Sequence, residues 1–388
     1  MFENNILINS FDNYFAIFYT KEKNQEIIMR FLDTPQPHLV EGFLNTTKTY
    51  DAKSTSDTVS NHSVLFRGIQ QKINEFSDRV SKNEPEDVTK FESREQMLKL
   101  VLDFYQNTDP IMYAKVQNVL RDPMITKDLL LVDNGKSTGK VTREGNRMTL
   151  EVRMTRDASG VVALARELAN TAIYRDYFIE KQIEEQKKLQ FVKEAANKFI
   201  ESMVIDYLAD RSMISPQMRE HLQIEALQEM SRDIHSIECD QVIFQAMYEQ
   251  NPEAFAHNLE NYTPEDFYKS IEKWKDNPRS MEVVENRIKD IAEKGETQQY
   301  LMGKVLSELT ALKLREQFYQ TGDNQTVSKL LNGIENNKLL SDLTGMTNAD
   351  LLAQGSNLVE HYNDLTRENM DENENVMVME RIKKMTDN

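Results

Sequence analysis

Cysteine is almost missing from this chain. A single residue, Cys239, in 388 excludes an internal disulfide framework and suits a reducing compartment, so a cytoplasmic location is expected. Glycine and proline are also scarce, at 12 and 9. Long stretches of Glu, Lys, Gln and Leu take their place, which predicts a mostly helical protein. Basic residues are in deficit: 47 against 64 acidic, a net charge of −17. That charge repels nucleic acid and anionic membrane surfaces and argues against both as partners. No apolar run approaches the length that spans a bilayer. The opening MFENNILINSFDNYF lacks a basic segment followed by an apolar core and does not read as a secretory signal. Histidine is sparse as well. His38, His62, His221, His235, His257 and His361 include no two residues four apart, so the i, i+4 pair of a helical zinc motif is missing. Each reads as a surface or packing residue.

The length is enough for two or three domains. Residues 1–45 form an N-terminal segment in which Ile6–Ile8 and Tyr14–Tyr19 read as short strands and Glu26–Leu32 as a helix. Residues 46–63 are rich in Ser and Thr and read as a polar linker. Leu65–Val80, Glu92–Tyr105 and Ala114–Leu120 carry helical periodicity. Asp128–Met154 is the clearest β region: Leu129–Val132 is an apolar run, and Met148, Leu150, Val152 and Met154 alternate with polar residues, the mark of a half-buried strand. Asp133-Asn134-Gly135 and Gly139 supply turn chemistry. Gly135-Lys-Ser-Thr-Gly-Lys140 is not a phosphate loop, because the glycine spacing is wrong and a strand follows it; it reads as a hairpin turn. Residues 215–365 read as a helical domain, with Pro216, Pro252, Pro264 and Pro278 at helix starts and Gly295, Gly322, Gly345 and Gly355 at stops or turns. Thr263 is an expected N-cap. Trp274 and the 19 methionines read as core. Residues 366–388 form an acidic tail, ending in a short amphipathic stretch, that is expected to be mobile or to dock on a partner.

Gly160–Phe178 is the stretch around which the rest is organised. Val161, Leu164, Ala165, Leu168, Ala172 and Ile173 make an apolar stripe at helical spacing, with Asp157 or Ser159 as the cap. Arg166 and Asn170, four apart, project the same way, and Glu167 lies beside them. A second long helix, Ile179–Arg211, carries Glu194-Ala-Ala-Asn197-Lys-Phe199, with a break or a solvated face at Lys181–Lys188.

Strand, then an R-E-L-A-N helix, then an E-A-A-N-K-F helix resembles the bacterial metallopeptidase domains of the HExxH zincin type. The resemblance covers about Asp128–Arg211, within a domain drawn at residues 64–214. It implies a zincin-like strand-plus-helix core, hence a mainly α fold with a small β-sheet. Position by position, Glu167 matches the general base, whereas Arg166 and Asn170 stand where the zinc histidines would be. Arginine keeps its proton and cannot ligate a cation. The third ligand position falls on Glu194 or on Ala195, depending on the alignment. The resemblance therefore implies a degenerate site of Arg166, Glu167, Asn170 and Glu194, with no metal and no cofactor. In such a site Arg166 takes the place of the metal's charge and pairs with Glu194 by preference, or with Glu201. The same letters also fit the plain polar face of an amphipathic helix.

Three functions stay open: an inactive metallopeptidase-like protein that binds another protein, a helical scaffold or accessory protein (one delivered into a host cell included), and an active hydrolase with unrecognised ligands. The first is the expected one. It makes the chain a pseudoenzyme with a protein partner.

Overall fold

The computed structural model describes residues 37–48, 52–80, 90–133, 136–144, 147–178, 183–257, 259, 261–275, 277–321, 326–336 and 338–364. The strands and helix expected before residue 33, the turn pair Asn134-Gly135, the stop at Gly322 and the acidic tail lie outside them. Within them the protein is mainly α-helical with one small sheet. No helix among the described residues is long and apolar enough to cross a membrane.

The chain divides into two compact units, Met1–Ser63 with Ile234–Met302, and Val64–Asp233 with Gly303–Asn388. This corrects the linear domain order read from the sequence. Residues 215–365 do not make one helical domain, because 234–302 pack with the N-terminal helix and 303–364 belong with 64–233. It also corrects the linker. Helix α1 runs Pro37–Lys48 and α2 runs Ala52–Val80, so most of residues 46–63 are helical. The stretch is polar but holds no proline and no glycine, and Ser, Thr and Asn each cost only a few tenths of a kcal/mol in a helix. All three boundaries between units fall inside helices, which is why no change of composition announces them.

In the smaller unit, α1 packs against the second half of α7 (Pro216–Gln250) and against α9 (Pro264–Ile271) and α10 (Pro278–Lys294). Val40 and Phe43 meet Phe244, Phe267 and Ile288, all buried. The expected proline starts hold, α8 (Pro252–Ala256) included, and Thr263 with Asp266 completes a reciprocal capping box. Trp274 packs partly buried against this core. Arg287 and Asp240, both nearly fully buried, form a two-pronged ion pair at 2.9 and 2.8 Å.

The larger unit holds α3 (Arg94–Thr108), α4 (Pro110–Arg121), the sheet, α5 (Ala158–Ile173) and α6 (Ile183–Asp210). It also holds α11 (Gln298–Thr321) from Gly303 on, α12 (Thr326–Glu335), α13 (Leu340–Thr344) and α14 (Asn348–Asp364). Asp206 of α6 ties three helices together. It accepts from Arg219 of α7, and from Arg315 and Tyr319 of α11. Gly295 and Gly345 end helices in the left-handed conformation, as expected. Gly355 does not stop a helix. It lies inside α14, where a Cβ would reach Ile69 Cδ1 at 2.5 Å, so it serves a close helix contact.

Strands β1 (Ile125–Val132), β2 (Thr138–Glu144) and β3 (Arg147–Thr155) stand in the order β1-β3-β2. β1 is parallel to β3 and β2 is antiparallel to it. The alternation read at Met148–Met154 marks the central strand, with Met148, Leu150, Val152 and Met154 all buried. The hairpin expected at Gly135–Lys140 is corrected. β2 already begins at Thr138, within the expected turn, and its antiparallel pairing with β3 runs as far as Glu144 and Arg147. Asp133 and Ser137 instead lie at the C-terminal end of β3. Ser137 Oγ accepts from the Thr155 amide at 3.0 Å, and Arg156 pairs with Asp133 at 3.0 Å.

Candidate functional site

Helix α5 starts at Asp157, whose side chain accepts from the Gly160 amide. It packs against β3, β2, α3, α4 and α6. The single apolar stripe read from the sequence is too narrow a description, because every residue of α5 is buried except Ser159, Arg166 and Asn170. A helix apolar on nearly all sides is a core element. Its one polar opening past the first turn is therefore at Arg166 and Asn170. The plain surface-face reading of these letters does not describe a helix buried this way.

Glu167 lies inside, 5% exposed. A buried carboxylate must be paired and hydrogen-bonded, and its two oxygens have different partners. Arg166 Nε donates to Oε1 at 3.2 Å, and Asn170 Nδ2 donates to Oε2 at 3.3 Å. Edge strand β2 crosses close above, where a Cβ on Gly139 would overlap Cγ of Glu167. The sequence reading took Gly139 for turn chemistry; its role here is close approach of backbone to the Glu167 side chain.

Across from α5, α6 runs antiparallel. Asn170 accepts from Asn197 at 3.4 Å, Arg166 meets Glu201 at 3.8 Å, and the Tyr174 ring meets Lys193 at 5.8 Å. Each of these pairs keeps one register, and that register places Glu194 opposite Ile173, about a turn beyond Asn170. The expected Arg166–Glu194 pair is thus replaced by Arg166–Glu201. Glu194 is half-exposed and acts on Lys193 and Lys198. Glu194 and Glu201 are seven residues apart, two turns along one face, so sequence spacing could not choose between them.

The electrostatics centre on Arg166. Burial disfavours its charge, but the carboxylates of Glu201 and then Glu167 outweigh that and hold the guanidinium above its ordinary value. Burial pulls the Lys193 ammonium down, with Glu194 and Glu167 opposing. Glu201 Oε2 and Asn197 Oδ1 are buried and accept no hydrogen bond from the described residues. The junction is paired in charge but incompletely bonded. Among the described residues no three His, Cys, Asp or Glu side chains are grouped to hold a metal ion. Chemically, the arrangement clamps a buried carboxylate beneath a strand, with a permanent cation between two acids.

No protein family, no curated protein and no solved structure matches this chain.

Proposed function

We propose that this chain is a catalytically inactive, metallopeptidase-like protein that acts by binding another protein. The observation that carries the reading is the placing of Arg166 and Asn170. They are the polar opening of an otherwise buried helix, and Arg166 puts a fixed positive charge between Glu167 and Glu201, where a zincin-like helix would put its metal. Arginine supplies that charge without an exchangeable ligand position. Glu167 is held on both oxygens and covered by β2, an arrangement that engages the carboxylate a general base would need free. A charge of −17 repels nucleic acid, which favours a protein as the partner.

Equilibrium dialysis of the full chain against zinc, with a peptidase assay on the dialysed sample, tests the inactive part of this reading. Substoichiometric zinc and no cleavage are expected. About one zinc per chain, with cleavage that is lost on Glu167→Ala, would return the protein to the active hydrolases.

A further inference from the structure

Next to the Arg166 junction, the larger unit buries a second set of charges where three helices meet. Lys198 of α6 contacts Glu229 of α7 at 2.5 Å and Glu308 of α11 at 3.0 Å. Lys304 of α11 contacts Glu229 at 3.3 Å and Asp233 of α7 at 2.8 Å. The cluster thus sets two ammonium groups against three carboxyls. Its surroundings do not restore the balance: Glu201 and Glu194 of α6 also act on Lys198, and Arg166, which acts on Glu229, is shared with Glu201 and Glu167. An excess carboxylate in a buried site is costly, and the cheaper state keeps a proton on one of them.

Exposure decides which. The Glu229 side chain is 37% exposed, that of Asp233 10%, and that of Glu308 6%. Glu308 has one cationic contact, Lys198, whereas Glu229 has two.

We propose that this cluster is a proton-responsive clasp, in which Glu308 holds a proton while α6, α7 and α11 are packed together and releases it under mildly alkaline conditions, loosening the joint. The ligand of this site is the proton, and the inference stands apart from the metallopeptidase reading. The groups that act on Glu308 are Lys198 from α6, and Glu229 and Asp233 from α7, with Lys304 one turn away on its own helix. α14 approaches α11 through Gly355, beside Leu309.

The balance of effects agrees with the geometry. Burial pushes the Glu308 carboxyl up to about 8, with Lys198 opposing and Glu229 reinforcing. Burial works the same way on Glu229, but there Lys198 and Lys304 prevail and hold it down at about 2. Burial likewise opposes the charge on Lys198, yet Glu308 and the other acids keep that ammonium above its ordinary value. A carboxyl raised from 4.5 in the unfolded chain to about 8 in the folded one stays protonated after the unfolded chain has lost its proton. The Glu308 contribution to folding stability therefore falls as pH rises through that window and is level on either side.

Equilibrium unfolding of the full chain and of Glu308→Gln, which mimics the protonated form, tests the clasp. Between about pH 5 and pH 8 the unfolding constant of the native sequence should rise relative to the variant by up to about tenfold per pH unit. Infrared difference spectra of the native chain should show a protonated carboxylic acid that disappears above neutral pH, a readout that does not need the variant to fold. Parallel unfolding curves, or the lack of that band at neutral pH, would overturn the proposal.

Discussion

Arg166→Ala is the most informative single change, because the structure places its cost between two known limits. Truncating one partner of a fully buried pair costs about 3–5 kcal/mol, and an exposed pair is worth about 0–1 kcal/mol. The Arg166 side chain is 30% exposed, while its partners Glu167 and Glu201 are 7% and 14% exposed. Removal leaves Glu167 with Asn170 alone, and leaves the mostly buried Glu201 with only Lys198, a cation it shares with several other acids. The expected loss is about 2–3 kcal/mol, below the buried limit because water can reach the space the guanidinium leaves. Arg166→Ala with Glu201→Ala should recover part of it, since the second change removes a stranded charge. Chemical denaturation followed by circular dichroism is the suitable assay. Fluorescence is not, because Trp274, the one tryptophan, belongs to the other unit. The loss should shrink in acid, where stranded carboxylates take up protons. A loss below about 0.5 kcal/mol at neutral pH, unchanged by acid, would refute the reasoning and leave Arg166 as an ordinary surface charge.

Other changes probe separate parts of the account. Gly139→Ala should cost about 1–3 kcal/mol, because its Cβ would overlap a Glu167 side chain held on both oxygens; a neutral result in the same denaturation assay would show that Glu167 is free to move. Arg287→Ala should destabilise the smaller unit by about 3–5 kcal/mol, since its side chain and that of Asp240 are 5% and 1% exposed, and Trp274 fluorescence should register the change. Gly355→Ala should cost about 1–3 kcal/mol through contact with Ile69, and calorimetry showing no loss would mean that α14 shifts to make room.

The mainly helical class and the central strand were legible in the sequence, because both follow from local patterns: few helix breakers, and strict alternation at Met148–Met154. Caps and proline starts were legible for the same reason, as at Asp157 and Thr263. What was not legible depends on distant pairing. Parallel pairing of β1 with β3 leaves no local sign, because β2 intervenes between them in the sequence. The interleaved units depend on α1 meeting a segment some two hundred residues away. Within α5, the letters of Arg166, Glu167 and Asn170 singled out the polar residues that the structure brings together in hydrogen bonds. The partner on α6 was open between Glu194 and Glu201, since it depends on how two antiparallel helices slide. The Lys198–Glu308 cluster left no signal at all: its members sit on α6, α7 and α11, each looking in sequence like a solvated helix charge.

The most direct test of the central claim is zinc titration of the folded Arg166→His, Asn170→His double variant by calorimetry. If α5 is a metal-site helix whose cation has been replaced by arginine, two imidazoles four residues apart, with a carboxylate of α6 in reach, should bind zinc at one per chain. The register across α5 and α6 assigns the third ligand to Glu201, so adding Glu201→Ala should abolish uptake while Glu194→Ala should not. A folded double variant that takes up no zinc would contradict the account and make the likeness of this helix to a metallopeptidase helix accidental.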